Sequence, residues 1–213
     1  MDTKGTVYVA DSGTGAIRMI RAGGDVVPFV GRVPGCSLPS PWISKGLEPF
    51  ASIRGMALDP DSETLYATCG DSIIAFDQRG NMVTALGNRA WSGFEAFLEY
   101  RDRPGKMPCL HQPGNLQVRP GWLFIADTGN HAIRAFSLRS GSLDTLAGSP
   151  GQATTRTGPL KLFNPSLPPE ACAALAAPSA MACDGAGRCL VASGDGLYAL
   201  DLGMLLRPAG DRP

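Results

Sequence analysis

The chain has 213 residues, enough to bury one sizeable core, and its Gly 27 and Pro 18 exceed average usage while falling short of low complexity. Lys+Arg 19 balance Asp+Glu 19, and this zero formal charge excludes a global electrostatic pull towards nucleic acid while leaving room for a local basic patch. No apolar run approaches the roughly 18 residues of a membrane span, and MDTKGTVYVADSG lacks the basic and apolar regions of a secretory leader. With Met1 as a start, the expectation is an intracellular chain whose six cysteines are mostly reduced.

In chain order, four segments share an apolar run ending in a small residue, a turn and a second apolar run. They are VYVADSGTGAIRMI from Val7, LYATCGDSIIAF from Leu65, LFIADTGNHAIRAF from Leu123 and CLVASGDGLYAL from Cys189. With Ala10, Ala67, Ala126 and Ala192 as anchors, the spacings are 57, 59 and 66. A glycine closes each unit (Gly31, Gly87, Gly148, Gly210), lying 21, 20, 22 and 18 residues after its anchor. A third mark, Gly55, Gly114 or Ala180, precedes the last three anchors by 12 residues. Each unit therefore reads as strand a at this third mark, strand b at the anchor, strand c after the turn and strand d before the glycine. Tandem four-stranded antiparallel sheets are propeller blades, since one such sheet cannot bury its faces alone. The expected fold is an all-β β-propeller, with blades at 6–31, 52–87, 113–148 and 178–210 and inter-blade loops at 32–51, 88–112 and 149–177.

The third unit, GWLFIADTGNHAIRAFSL, is similar to the NHL repeat, whose signature is an apolar strand, Ala-Asp, Thr/Ser-Gly-Asn-His and then Ile-Arg. ADSGTGAIRMI keeps the Asp, Gly and Ile-Arg, and the other two units keep the outline. The resemblance implies a propeller of about six blades, so about four blades imply an incomplete ring: a truncated or excised propeller, or one that closes with another chain. A compact four-bladed ring is the alternative. The resemblance also admits a regulatory role inside a larger multidomain protein.

Strands alternate in direction, so b–c turns and d–a connections emerge on one rim, where binding usually resides. The 88–112 connection carries Trp91, Phe94 and Tyr100 beside Arg101, Arg103 and Lys106, a pattern of interface hot spots or of apolar plugs between blades. Ser92 with Glu95 fits a capping box, and Phe94, Phe97 and Leu98 share a helical face, so a short helix is expected there. A second is expected in PPEACAALAA. Trp42 stands alone among prolines in the first loop. His111 and His131 complete the candidate binding residues.

Asp11 and Asp127 end strand b and precede a Ser/Thr-Gly turn, where a carboxylate accepts backbone N–H bonds. Arg18 and Arg134 follow seven residues later, within reach of a structural ion pair, and Asn130 belongs to the same turn as Asp127. With two histidines in all, a three-His zinc site of the kind used by a lyase with an NHL-like propeller cannot be assembled. The usual nucleophile, metalloprotease and nucleotide-loop motifs are absent, so the sequence points to no catalytic residue, metal or cofactor. Protein binding is the leading function, with RNA binding through a basic and aromatic patch and metal-dependent lyase or hydrolase chemistry as alternatives. Cys183 and Cys189 flank DGAGR, where a hairpin would set them opposite each other; the expectation favours two small buried hydrophobes over a disulfide.

Overall fold

The computed structural model describes residues 1–31, 53–87, 97–98, 110–148, 152–160, 166, 168, 171–194 and 196–203, with backbone alone at 84–85 and 97–98. Each anchor alanine lies in a strand that pairs antiparallel with its successor across the expected turn. The first sheet is β1 (Val7–Asp11), β2 (Ala16–Ile20) and β3 (Val26–Gly31). The second runs β4 (Met56–Leu58), β5 (Leu65–Cys69), β6 (Ser72–Phe76), β7 (Met82–Gly87) and β8 (Phe97–Leu98). The third is β9 (Pro113–Arg119), β10 (Trp122–Asp127), β11 (Ala132–Ser137) and β12 (Leu143–Gly148). The fourth is β13 (Pro178–Cys183), β14 (Arg188–Ser193) and β15 (Gly196–Asp201). The expected strand before Gly210 lies outside the described residues. Among those described, no helix is long and apolar enough to cross a membrane.

Two compact units divide the chain, Met1–Tyr100 and Arg101–Pro213. In the first, Ile17, Phe29 and Val30 of one sheet pack with Leu65, Ala67, Ile74 and Phe76 of the next. Phe29 sits edge-on to Tyr8 at 5.0 Å and to Phe76 at 6.3 Å between ring centres. In the second unit, Phe124, Ala126, Ile133 and Leu146 meet Met181, Val191 and Leu200. Alternation in the strands supplies these faces, and the small anchors Ala67 and Ala126 are wholly buried where sheets approach.

Two equivalent bulges refine the pattern. The β2–β3 register skips Phe29, and the β11–β12 register skips Leu146, so an extra apolar residue turns into each core two positions before the closing glycine. Those glycines, Gly31 and Gly148, hold φ of +124° and +102°, and a Cβ there would run into Ala16 and the His131 carbonyl respectively.

Three expectations change. Phe97 and Leu98, expected on a helix, pair in parallel with Ala85 and Leu86, because the open edge of β7 offers unpaired backbone groups. PPEACAALAA carries no α-helix from Cys172 onward: Ala174 and Arg156 exchange backbone hydrogen bonds at 2.9 and 3.0 Å, which satisfies groups a helix would have paired internally. Cys183 and Cys189 form a disulfide, since the β13–β14 register sets them directly opposite, with Cα atoms 3.9 Å apart. Cys69 and Cys172 are free and buried.

Replacement of Gly148 by Ala should lower stability by roughly 2–4 kcal/mol, combining positive-φ strain with the backbone collision. Gly121→Ala, at φ +78° with open space around it, is the control and should cost about 1 kcal/mol. Equal unfolding midpoints for the two variants would refute a steric role for the closing glycine.

Candidate binding rim

The best-defined constellation lies at the β10–β11 turn. Asp127 ends β10 fully buried, and its Oδ1 accepts the His111 backbone N–H at 2.8 Å. Its Oδ2 accepts Asn130 Nδ2 at 2.9 Å and lies 3.5 Å from Nη1 of Arg134, itself buried on β11. A single 3₁₀ turn, Thr128–Asn130, carries the chain round, and His131 then takes a left-handed φ of 55°. The Gly129 N–H donates to the His111 carbonyl at 2.8 Å, and a Cβ at Gly129 would overlap the His111 ring. The connection arriving at β9 is thus locked onto the turn by His111 at both its amide and its carbonyl.

This turn also holds the connection arriving at the fourth sheet. Thr128 Oγ1 donates to the Pro178 carbonyl at 2.7 Å, and His131 Nδ1 accepts the Ala177 N–H at 3.0 Å. The second bond requires an unprotonated Nδ1. In the first unit Ser12 Oγ likewise donates to the Ile53 carbonyl at 3.3 Å. Ile53 and Pro178 each precede their anchors, Ala67 and Ala192, by 14 residues, so the two bonds are equivalent.

The residue after the anchor shows a second regularity. Thr68 Oγ1 accepts the Arg54 and Gly55 N–H groups at 2.9 and 3.0 Å, and Ser193 Oγ donates to the Ala176 carbonyl at 2.8 Å. Asp127 does the same work on His111. In each case a buried polar side chain satisfies backbone groups of the connection entering its own sheet. Asp11, in the three-stranded first sheet, instead accepts Arg18 Nε at 2.7 Å with both side chains about one-third exposed.

Environment separates the two carboxylates. Burial pushes Asp127 up to about 6, against the lowering effects of the His111 N–H, Asn130 and Arg134. The Thr14 and Arg18 hydrogen bonds hold Asp11 below the usual carboxylate range.

Arg156, Pro159, Leu160, Leu175, Tyr198 and Asp201 line a cleft of about 430 Å³ in the second unit. Arg156 is fastened there by Nε to the Cys172 carbonyl at 3.0 Å. Trp42, Trp91, Phe94, Tyr100, Arg101, Arg103 and Lys106 lie outside the described residues. The structure brings His111, Asp127, Asn130, His131 and Arg134 together and gives Asp11 and Arg18 their own pair. Ser12, Thr68, Thr128 and Ser193 were not singled out from the sequence, although their fixed offsets from the anchors were a usable signal. Nothing in the sequence marked the cleft.

The chain is an all-β protein of β-propeller class, and solved structures of that class resemble it. One is a structural genomics protein of unknown function from Bacteroides thetaiotaomicron, at 18% identity and TM-score 0.53, over 87% of this chain and 39% of that one. Another, a protein provisionally named a gluconolactonase, shares 14% identity at TM-score 0.53, over 94% of this chain and 58% of that one. A streptogramin B lyase aligns at 14% identity and TM-score 0.49, over 94% and 52%. The chain therefore spans less than two thirds of these structures' length. No protein-family model matches it, and no curated protein does.

Replacing Asp127 by Ala removes the carboxylate beside buried Arg134 and should cost about 3–5 kcal/mol, whereas Asp11→Ala should scarcely move the melting temperature. The pH dependence has a definite sign. A raised Asp127 pKa means the native state binds this proton more tightly than the unfolded chain. Stability from the protonated carboxyl is therefore complete near pH 4 and lost as pH rises through about 6. Relative to Asp127→Asn, the wild type should lose on the order of 2–3 kcal/mol between about pH 4 and pH 7 in denaturant unfolding. A wild type that gains stability relative to Asp127→Asn as pH rises would contradict the assignment.

Proposed function

We propose that the chain is part of an NHL-type propeller, with blades at 6–31, 52–87, 113–148 and 178–210, that binds a protein partner through its loop-bearing rim. The observation that carries this reading is how the rim's polar side chains are used. Asp127 and Thr128 direct their oxygens, and His131 its Nδ1, to the backbone of arriving connections, holding loops in place instead of facing a substrate. Rigid turns presenting long connections are how repeat scaffolds build recognition surfaces. Among the described residues, no group of three or more His, Cys, Asp or Glu could hold a metal ion. The zero formal charge favours a protein over a polyanion.

The 88–112 connection, with Trp91, Phe94, Tyr100, Arg101, Arg103 and Lys106, is the proposed main contact, joined by Trp42, His111 and His131. The test is cross-linking and capture from extract of the source cells, at low and high salt, with wild type and an Arg101→Glu/Arg103→Glu double variant. The expected result is a protein partner that wild type retains at high salt and the variant loses, at unchanged melting temperature. Nuclease-sensitive capture that collapses with salt would overturn the reading in favour of RNA. Equal capture by both proteins would remove this connection from the site.

A further inference from the structure

The β10–β11 turn grips the entry to the fourth sheet on both sides of one dipeptide. Ala177, the residue just before β13, has a φ of 49°, a left-handed backbone that is costly for a residue with a Cβ. Pro178 follows it, and a residue before proline prefers an extended backbone. The conformation therefore persists because its neighbours hold it. His131 Nδ1 accepts the Ala177 N–H at 3.0 Å, and Thr128 Oγ1 donates to the Pro178 carbonyl at 2.7 Å. Just upstream, Ser193 Oγ donates to the Ala176 carbonyl at 2.8 Å. The two hydroxyls keep their chemistry as pH changes, whereas the imidazole does not, because Nδ1 accepts only while it carries no proton.

We propose that His131 is an acid-sensitive latch on the entry to β13: the neutral ring holds the Ala177 amide, and protonation of Nδ1 releases it. Protonation turns the acceptor into a donor facing another donor, so the hydrogen bond is lost and two N–H groups oppose each other. Ala177 then relaxes towards the extended backbone that Pro178 favours, while Thr128 and Ser193 keep their carbonyls. The sign is definite: the latch is closed at the alkaline end of the imidazole range, about pH 8, and opens towards about pH 5. The charged and titratable groups on the surrounding elements have their own places. Asp127 and Arg134 form the buried pair on the same sheet, and His111, a second imidazole, comes with the connection to β9, fastened through its backbone. Arg156, on the connection to β13, bonds the Cys172 carbonyl, and Asp144 stands opposite Ala135 towards the far end of β12. On the fourth sheet, Asp184 and Arg188 pair at the end of the β13–β14 hairpin remote from Ala177, with Asp201 beside Arg188 in register. The Asp127 carboxyl also takes up a proton on acidification, but it bonds His111, Asn130 and Arg134 and not the entry to β13, so mutation separates the two events.

The experiment is amide hydrogen exchange by NMR on the full chain from about pH 8 to about pH 5, each rate divided by its intrinsic value, with the His131 ring nitrogens recorded in parallel. The expected result is that the Ala177 amide loses roughly tenfold in protection on acidification, the worth of one hydrogen bond. The loss should track the titration of the His131 ring, whose neutral form should carry its proton on Nε2. The Arg156 and Leu202 amides, bonded to the Ala174 and Gly187 carbonyls, should keep their protection. His131→Asn places an acceptor where Nδ1 stood and tolerates left-handed backbone, so Ala177 should stay protected across the whole range. His131→Gly tolerates the same backbone without an acceptor and should leave Ala177 at the low protection throughout. Asp127→Asn should retain the pH dependence of the wild type. Flat Ala177 protection in the wild type, a pH dependence that survives in His131→Asn, its disappearance in Asp127→Asn, or parallel loss at Arg156 and Leu202 would each overturn the proposal. None of these readings involves a binding partner, so the outcome stands apart from capture at the rim.

Discussion

Long connections between sheets carry backbone N–H and C=O groups that must find partners wherever they pass out of water. In this protein the partners come from the residue that follows three of the four anchor alanines. Thr68, Asp127 and Ser193 occupy equivalent positions at the end of the second strand, and each bonds the chain arriving at its own sheet. One residue further on, Ser12 and Thr128 bond the chain arriving at the following sheet. These contacts set where each first strand begins. They also determine which side chains of β4, β9 and β13 face the core, because a slip of one residue would reverse every alternation. The hydrophobic faces supply most of the stabilising free energy, but these few polar bonds select the arrangement in which the faces meet.

The same position tolerates very different electrostatics. Asp127 sits in a dry environment, opposed by burial and supported by one backbone amide, one side-chain amide and a guanidinium. Asp11 faces solvent and keeps an exposed ion pair. The difference follows from the surroundings: Asp127 is overlaid by the connection bearing His111, whereas Asp11, on the three-stranded first sheet, is held by Arg18 at the surface. A carboxylate that looks the same in sequence is thus a structural clamp in one sheet and a solvated turn residue in another. Neither geometry resembles a general base poised over an open pocket.

Much of this was legible beforehand because the repeat marks are physical requirements. The anchors are small because sheets approach closely there, and the closing glycines hold positive φ against a neighbouring backbone at Gly31 and Gly148. What escaped the sequence depended on tertiary partners. Phe97 and Leu98 have helical spacing, but an open strand edge nearby outweighed it. The run around Cys172 has good helix formers, yet its backbone pairs with Arg156. The Cys183–Cys189 bridge was misjudged because the reduced state was inferred from compartment, while the register across a tight hairpin decides whether two sulfurs meet. The cleft beside Tyr198 had no signature, since its walls come from a connection and a strand that no spacing rule links.

The equivalence of Thr68, Asp127 and Ser193 bears on how such repeats diverge. A hydroxyl both donates and accepts, whereas a carboxylate only accepts, so the substitutions are not interchangeable unless the connection turns a different group inward. At Asp127 an N–H is met and at Ser193 a carbonyl, while Thr68 meets both, accepting the Arg54 and Gly55 N–H groups and donating to the Gly55 carbonyl at 3.3 Å. A hydroxyl at this position thus serves either backbone group and the carboxylate serves N–H, and the antiparallel order of the described strands is kept. Wording can decay from the full Asp-Thr-Gly-Asn-His of the third unit to the bare outline of the fourth while the antiparallel β13–β14–β15 order is kept. What persists is a small residue for close approach, a polar one to hold the connection and, at Gly31 and Gly148, a positive-φ glycine to end the sheet.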